Sequence, residues 1–238
     1  MDFAQALHMS NTEADLSADE LGRLAEKLFE VFCEQEEIPC QRIPEGKRKT
    51  ADYLIQLGEQ EVAVEVKAVT ESDEFRRAQE EQERTGKPQV YDKSEGAVKN
   101  RIKDSYAQIK ASSEGKRAGL LVLYGHGHAY FDVDPHDAIR IAMRGIDAVE
   151  VLVPNDRRHS LQFGNKFQGS GKSVTPSTNR ALSGVARLSV QYERPIRLEI
   201  VRNPHARIRL GDEINGLSNV LLGDIGKASD GWDYVFWK

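Results

Sequence analysis

Two short apolar runs carrying charged ends span Ala51 to Lys67, in the order ADYLIQLGEQEVAVEVK. Both are rich in Val, Leu, Ile and Tyr, both have the length of a strand, and Gly58-Glu59-Gln60 breaks them, so the stretch predicts a β-hairpin. Side chains alternate along a strand, which puts Glu65 and Lys67 on one face and Val62, Val64 and Val66 on the other, towards a core. Closing the hairpin brings Asp52 back beside Glu65. Two carboxylates and one ammonium then share a small volume of an otherwise apolar sheet, a costly arrangement unless a cation is bound there.

Converging carboxylates suit a hard divalent ion such as Mg²⁺ or Mn²⁺, which takes oxygen ligands and keeps open positions for water or phosphate oxygens. A neighbouring lysine adds a point charge for a developing phosphoryl charge. Glu-x-Lys on a strand is more often a surface ion pair, so the surrounding sequence has to decide. It supplies a helix over Ser17 to Glu37, with Leu21, Leu24, Ala25, Leu28, Phe29 and Phe32 at helical spacing and a Ser17/Glu20 capping box. Glu26 lies beside that stripe, where a carboxylate can look across at the hairpin.

A helix bearing Glu26, a strand opening with Asp52 and a next strand carrying Glu65-Val66-Lys67 together resemble the PD-(D/E)XK nuclease superfamily. The resemblance covers the first half of the chain, through Tyr124; Ala51 stands where the proline of the motif would be, a position that supplies no ligand. It implies an α/β fold with a restriction-endonuclease-like αβββαβ core, a mixed central sheet and, beyond it, a β-rich C-terminal extension. It further implies a Mg²⁺- or Mn²⁺-dependent nuclease, with a DNA endonuclease of restriction, repair or anti-phage type as the first expectation. Asp52 and Glu65 would hold the ion together with the backbone carbonyl of Val66, and Glu26 would act through water or seat a second ion. Lys67 would orient the attacking water, leaving 5′-phosphate and 3′-hydroxyl ends. RNA as substrate stays open, as does a non-catalytic binding or assembly subunit that retains the fold.

The length of 238 residues allows one sizeable domain with an extension. Hydrophobic residues at 39% and charged ones at 30% describe an ordinary globular chain with no apolar run long enough for a membrane. The first residues carry no secretory signal pattern, and Cys33 and Cys40 are too few for a disulfide framework, so a cytoplasmic protein with reduced thiols is expected. A net charge of −5 argues against nucleic acid only until its distribution is read. The first helix is acidic, whereas Lys47, Arg48 and Lys49 precede Asp52, and Lys99, Arg101, Lys103, Lys110, Lys116 and Arg117 gather on the next core helix and its end. These patches are candidate phosphate contacts.

Residues 1–16 read as a loosely ordered terminus, 17–153 as the nuclease-like core, and 154–238 as a basic loop and β-rich extension whose role is a cover for the sheet, a homodimer or partner-subunit surface, or target recognition. Ile38 to Ile43 predicts a short strand, Glu71 to Arg84 an exposed helix, Ala97 to Ser112 a core helix, and Gly119 to Tyr124 a strand buried on both faces and parallel to its neighbour. Lys103, Tyr106 and Gln108 are the polar candidates to face the site from that core helix. Gly125-His126-Gly127-His128 reads as an ordinary loop, Pro135 to Arg144 as a helix, and Ala148 to Val153 as a strand added to the same sheet. Pro154 to Ser183 reads as a flexible basic loop whose Arg157, Arg158, Lys166, Lys172 and Arg180 could follow a nucleic-acid backbone; Lys166 stands where a phosphate-binding loop needs glycine. Two further strands follow over Gly184 to Tyr192 and Ile196 to Val201, and Trp232, Tyr234, Phe236 and Trp237 predict a last strand against a core.

Overall fold

The computed structural model describes residues 16–44, 46, 49–70, 73–87, 94–125, 135–153, 160, 162–168, 171–191, 194–228 and 233–237. Helix α1 (Ala18–Gln35) starts on the predicted capping box, in which Ser17 N–H donates to Glu20 Oε2 at 2.9 Å and Glu20 N–H donates back to Ser17 Oγ at 3.4 Å. Such a cap satisfies two of the backbone donors that a helix start leaves open. The hairpin follows as β2 (Tyr53–Leu57) and β3 (Gln60–Val69), antiparallel, with Tyr53 opposite Val64. Its turn uses Gly58 at φ 57°, a left-handed conformation that favours glycine. A short β1 (Cys40–Arg42) pairs antiparallel with β2.

Helices α2 (Asp73–Thr85) and α3 (Ser94–Ser113) carry the chain over to β4 (Ala118–Gly125), which pairs parallel with β3. After α4 (Pro135–Arg144) come β5 (Asp147–Leu152) and β6 (Gln162–Gln168), an antiparallel pair forming a small second sheet. The predicted strand at 148–153 therefore exists but does not join the main sheet. The place beside β4 is taken by β7 (Gly184–Ser189), and β5 finds its partner in residues 162–168, which the sequence reading had left within the loop. Val151 and Phe163 of this pair are exposed, as is Val153 just beyond β5.

From β7 the main sheet continues through β8 (Arg197–Arg202), β9 (Val220–Lys227) and β10 (Asp233–Trp237), giving eight strands in the order β1-β2-β3-β4-β7-β8-β9-β10 with mixed parallel and antiparallel pairing. A short 3₁₀ turn (Asp212–Gly216) leads into β9. The molecule is thus a mixed α/β fold with a large central sheet and few helices. The expected packing of the last strand is only partly realised: Tyr234 and Phe236 are each 47% exposed on this edge strand, while Val235 packs on the core.

One face of the sheet packs Val62, Val64, Val66, Leu120, Ala186 and Ile200 against the apolar stripe of α1. The other packs Val69, Leu121, Leu123 and Val185 against Val98, Ile102 and Ile109 of α3 and Ile139 of α4. Gly119 lets α3 come close: a Cβ there would stand 2.3 Å from Ile109 Cγ2 and 2.4 Å from the Ala181 carbonyl oxygen. Among the described residues no helix is long and apolar enough to cross a membrane. Cys33 and Cys40 are free thiols, the first buried and the second exposed.

Candidate functional site

The hairpin register carries Asp52 to the position opposite Glu65, and two bonds hold it there. Asp52 N–H donates to the Val64 carbonyl at 3.0 Å, and Asp52 Oδ2 accepts from Val66 N–H at 2.8 Å. The Val66 amide thus holds one oxygen of Asp52 in place. Glu65 is 0% exposed. Lys67 Nζ lies 2.5 Å from Glu65 Oε1, a close ion pair outside hydrogen-bond alignment, and neither Glu65 oxygen has a hydrogen-bond partner among the described residues. Burial first, then the like charge of Asp52, pushes the Glu65 carboxyl up to about 7; Lys67 pulls it down without cancelling them, and Glu26 adds a smaller upward push.

Glu26 is drawn elsewhere. Its Oε2 accepts from Arg42 Nη2 at 2.5 Å, and Arg42 also stands 3.7 Å from Glu30, whose Oε1 accepts from Tyr53 Oη at 3.0 Å. Among the described residues no group of three or more His, Cys, Asp or Glu side chains is arranged to hold a metal ion. A buried carboxylate with no aligned hydrogen bond, met only by the Lys67 charge and standing beside a second carboxylate, nevertheless fits a hard cation, because such a pair of carboxylates is costly in a dry core.

Helix α3 supplies the wall over this pair. Gln108 Nε2 donates to the Thr50 carbonyl at 3.2 Å, and Ser112 Oγ accepts from Ala51 N–H at 2.8 Å, so two side chains of α3 pin the backbone just before Asp52. Of the three polar candidates on this helix, Gln108 is the one that reaches the hairpin; Lys103 is exposed and Tyr106 lines a cavity described below. Ser105 was not foreseen. It is 0% exposed and its hydroxyl has no hydrogen-bond partner among the described residues. Ile109 packs on Gly119, whose strand partner is Ala63, and α3 runs antiparallel to β3. The available signal was a serine in the apolar stripe between Ile102 and Ile109.

The remaining candidate nucleic-acid contacts are dispersed. Lys49 is exposed just ahead of Asp52, Lys103 is exposed on α3, and Lys172 is exposed in the segment before β7. Lys47, Arg48, Arg157 and Arg158 lie outside the described residues, as do His126 and His128.

A second charged cluster sits on the same sheet face. His136 Nε2 is 2.8 Å from Glu199 Oε2, Arg187 Nη1 is 3.6 Å from the same oxygen, and the Trp237 ring meets His136 edge-on at 4.6 Å between centroids. Burial raises the Glu199 carboxyl, but the His136 bond and the Arg187 charge outweigh it and hold the group below the usual carboxylate range.

No protein-family model, curated protein or solved structure matches this chain.

Proposed function

We propose that the protein is a metal-dependent nuclease hydrolysing phosphodiester bonds, with DNA as the substrate and the restriction-endonuclease-like αβββαβ core as its fold. In that reading α1, β1, β2, β3, α3 and β4 are the core elements and α2 is an insertion. The observation that carries it is Glu65, wholly buried, without an aligned hydrogen bond on either oxygen, met only by the Lys67 charge at Oε1 and opposite Asp52 on the hairpin.

Asp52 and Glu65 would hold Mg²⁺ or Mn²⁺, which when bound supplies a Lewis acid for the scissile phosphate and a water acidic enough to attack it. The Val66 amide keeps one Asp52 oxygen oriented. Lys67, two residues from Glu65 on the same face and partly exposed, would orient the attacking water and offset charge as the phosphoryl group is transferred. Lys49 contributes backbone affinity without reading sequence.

Cleavage of supercoiled plasmid, linear duplex, single-stranded DNA and RNA, in EDTA, Mg²⁺ or Mn²⁺, tests this reading on the wild type, Asp52→Ala and Lys67→Ala. Metal-dependent cutting lost in both variants is expected. Cutting that survives in them removes the assignment. The capture of Glu26 by Arg42 favours a second reading, a nucleic-acid-binding or assembly subunit that no longer uses the site. Such a protein would keep its affinity in EDTA and after Lys67→Ala, and cut nothing.

A further inference from the structure

A cavity of about 190 Å³ lies where the end of α3 meets the segments before β7 and after β8. Four cations line it: Lys110 from α3, Arg117 just beyond the helix, Arg180, and Arg207. Tyr106 and Glu114 complete its polar wall. Arg117 is accounted for, since it pairs with Glu61, stands 3.7 Å from Glu114, and donates to the Ser112 carbonyl at 3.3 Å. Lys110, Arg180 and Arg207 have no ion-pair partner among the described residues. The backbone presents two of them together, because Arg207 N–H donates to the Arg180 carbonyl at 2.7 Å. Gly115, at φ 69°, leaves room for the third side: a Cβ there would stand 3.0 Å from Arg207 Nη1.

Cations at a helix C-terminus have an ordinary explanation in the helix dipole, which amounts to about half a negative charge at that end. Arg117 is balanced by Glu61, and the Glu114 carboxylate together with the half charge of the helix end offsets only part of Lys110, Arg180 and Arg207, so the cavity keeps a net positive charge. Like charges brought together from three separate segments repel unless an anion joins them. Two guanidiniums, an ammonium and a phenol hydroxyl lining one cavity are the donor types that phosphate oxygens take, guanidinium in bidentate fashion.

We propose that this cavity binds a phosphate group, and that its occupant is a backbone phosphate of a nucleic-acid strand. The phosphate chemistry stands on the cavity alone; the nucleic-acid source rests on the nuclease reading above. The site lies on the flank of α3 away from Gln108 and Thr50, so it holds the strand at a point separate from Glu65.

Binding measured in EDTA, where no metal-dependent cutting occurs, tests it. The probes are inorganic phosphate by calorimetry and a fluorescent twelve-nucleotide single strand by anisotropy over a range of salt. The Arg180→Ala/Arg207→Ala protein should bind phosphate at least about tenfold more weakly, and its log affinity for the oligonucleotide should fall less steeply with log salt by about 0.7 per lost contact. Phosphate should compete for the oligonucleotide in the wild type only. Arg84→Ala/Lys87→Ala removes the same charge from exposed positions elsewhere, and should change either affinity by no more than about twofold if the effect is local rather than a screened, general one. Loss of phosphate binding with unchanged oligonucleotide binding would overturn the nucleic-acid source and keep the phosphate site. Equal binding of both probes by wild type and the double arginine variant would overturn the proposal altogether. A protein that cuts nothing yet shows arginine-dependent binding would end the nuclease reading without touching the cavity.

Discussion

Glu65 and Glu199 are both buried carboxylates on one face of one sheet, and the register runs from Lys67 through Leu123 and Arg187 to Glu199 across four strands. Their fates are opposite. Glu199 is met by His136 and Arg187, and its acidity is strengthened in spite of burial. Glu65 faces Asp52, receives only the unaligned contact of Lys67, and its carboxyl rises to about 7. Burial alone therefore does not mark a working residue. What separates the two is whether the fold supplies the partners that the charge requires, and at Glu65 it does not.

The sharpest test of that contrast is catalytic. Glu65→Gln should lower metal-dependent cleavage by about a thousandfold, corresponding to several kcal/mol of lost charge stabilisation, whereas Glu199→Gln should leave it within about threefold. Equal losses in the two variants would erase the distinction.

The next effect is on stability against pH in metal-free protein. The folded protein holds the Glu65 proton more tightly than the unfolded chain, whose carboxyl titrates near 4.5. The resulting stabilisation is full below about pH 4.5 and is lost as pH rises through about 7, on the order of 3 kcal/mol in all. Denaturant unfolding of wild type and Glu65→Gln between pH 5 and 8 should show the loss in the wild type and a much flatter profile in the variant. Parallel profiles would mean that Glu65 is not held as described.

Glu199→Gln should behave in the other direction, losing about 2 kcal/mol at pH 7 because a charge-assisted bond becomes a neutral one and His136 and Arg187 lose their counter-charge. A smaller pair of changes isolates the same principle in hydroxyls. Ser112→Ala removes the acceptor of the Ala51 amide and should cost about 1 kcal/mol, while Ser105→Ala removes a hydroxyl with no partner and should be neutral or slightly stabilising. Least of all, Arg197→Ala, an exposed charge acting on Glu199 only at a distance, should shift stability by no more than about 0.5 kcal/mol.

Local pattern made much of this legible beforehand. The capping box of α1, the glycine turn of the hairpin and the apolar run of β4 each follow from neighbouring residues, and the structure has them where they were expected. The pairing of Asp52 with Glu65 followed from strand alternation and a single short turn. What escaped depends on residues distant in the chain. Arg42 reaches Glu26 only because β1 pairs with β2, and β5 is kept out of the main sheet because β7, more than thirty residues later, holds the place beside β4. Strand β9 was overlooked although Val220-Leu221-Leu222 is apolar, because its second half, Gly223-Asp224-Ile225-Gly226-Lys227, reads as a loop. Its glycines have a reason that sequence alone does not show: a Cβ at 223 would press on Val235 and Trp237, and one at 226 on Phe236.

The bare Cα of Gly119 works as the gauge of a joint. It decides how deeply the Ile109 side chain seats, and through that contact the stand-off of the entire helix whose Gln108 and Ser112 anchor the chain ahead of Asp52. A single added methyl on β4 would act as a shim, lifting the lid that keeps Glu65 dry without altering any charged residue. The acidity of that carboxylate is in this sense a machining tolerance, set by a hydrogen atom on a neighbouring strand.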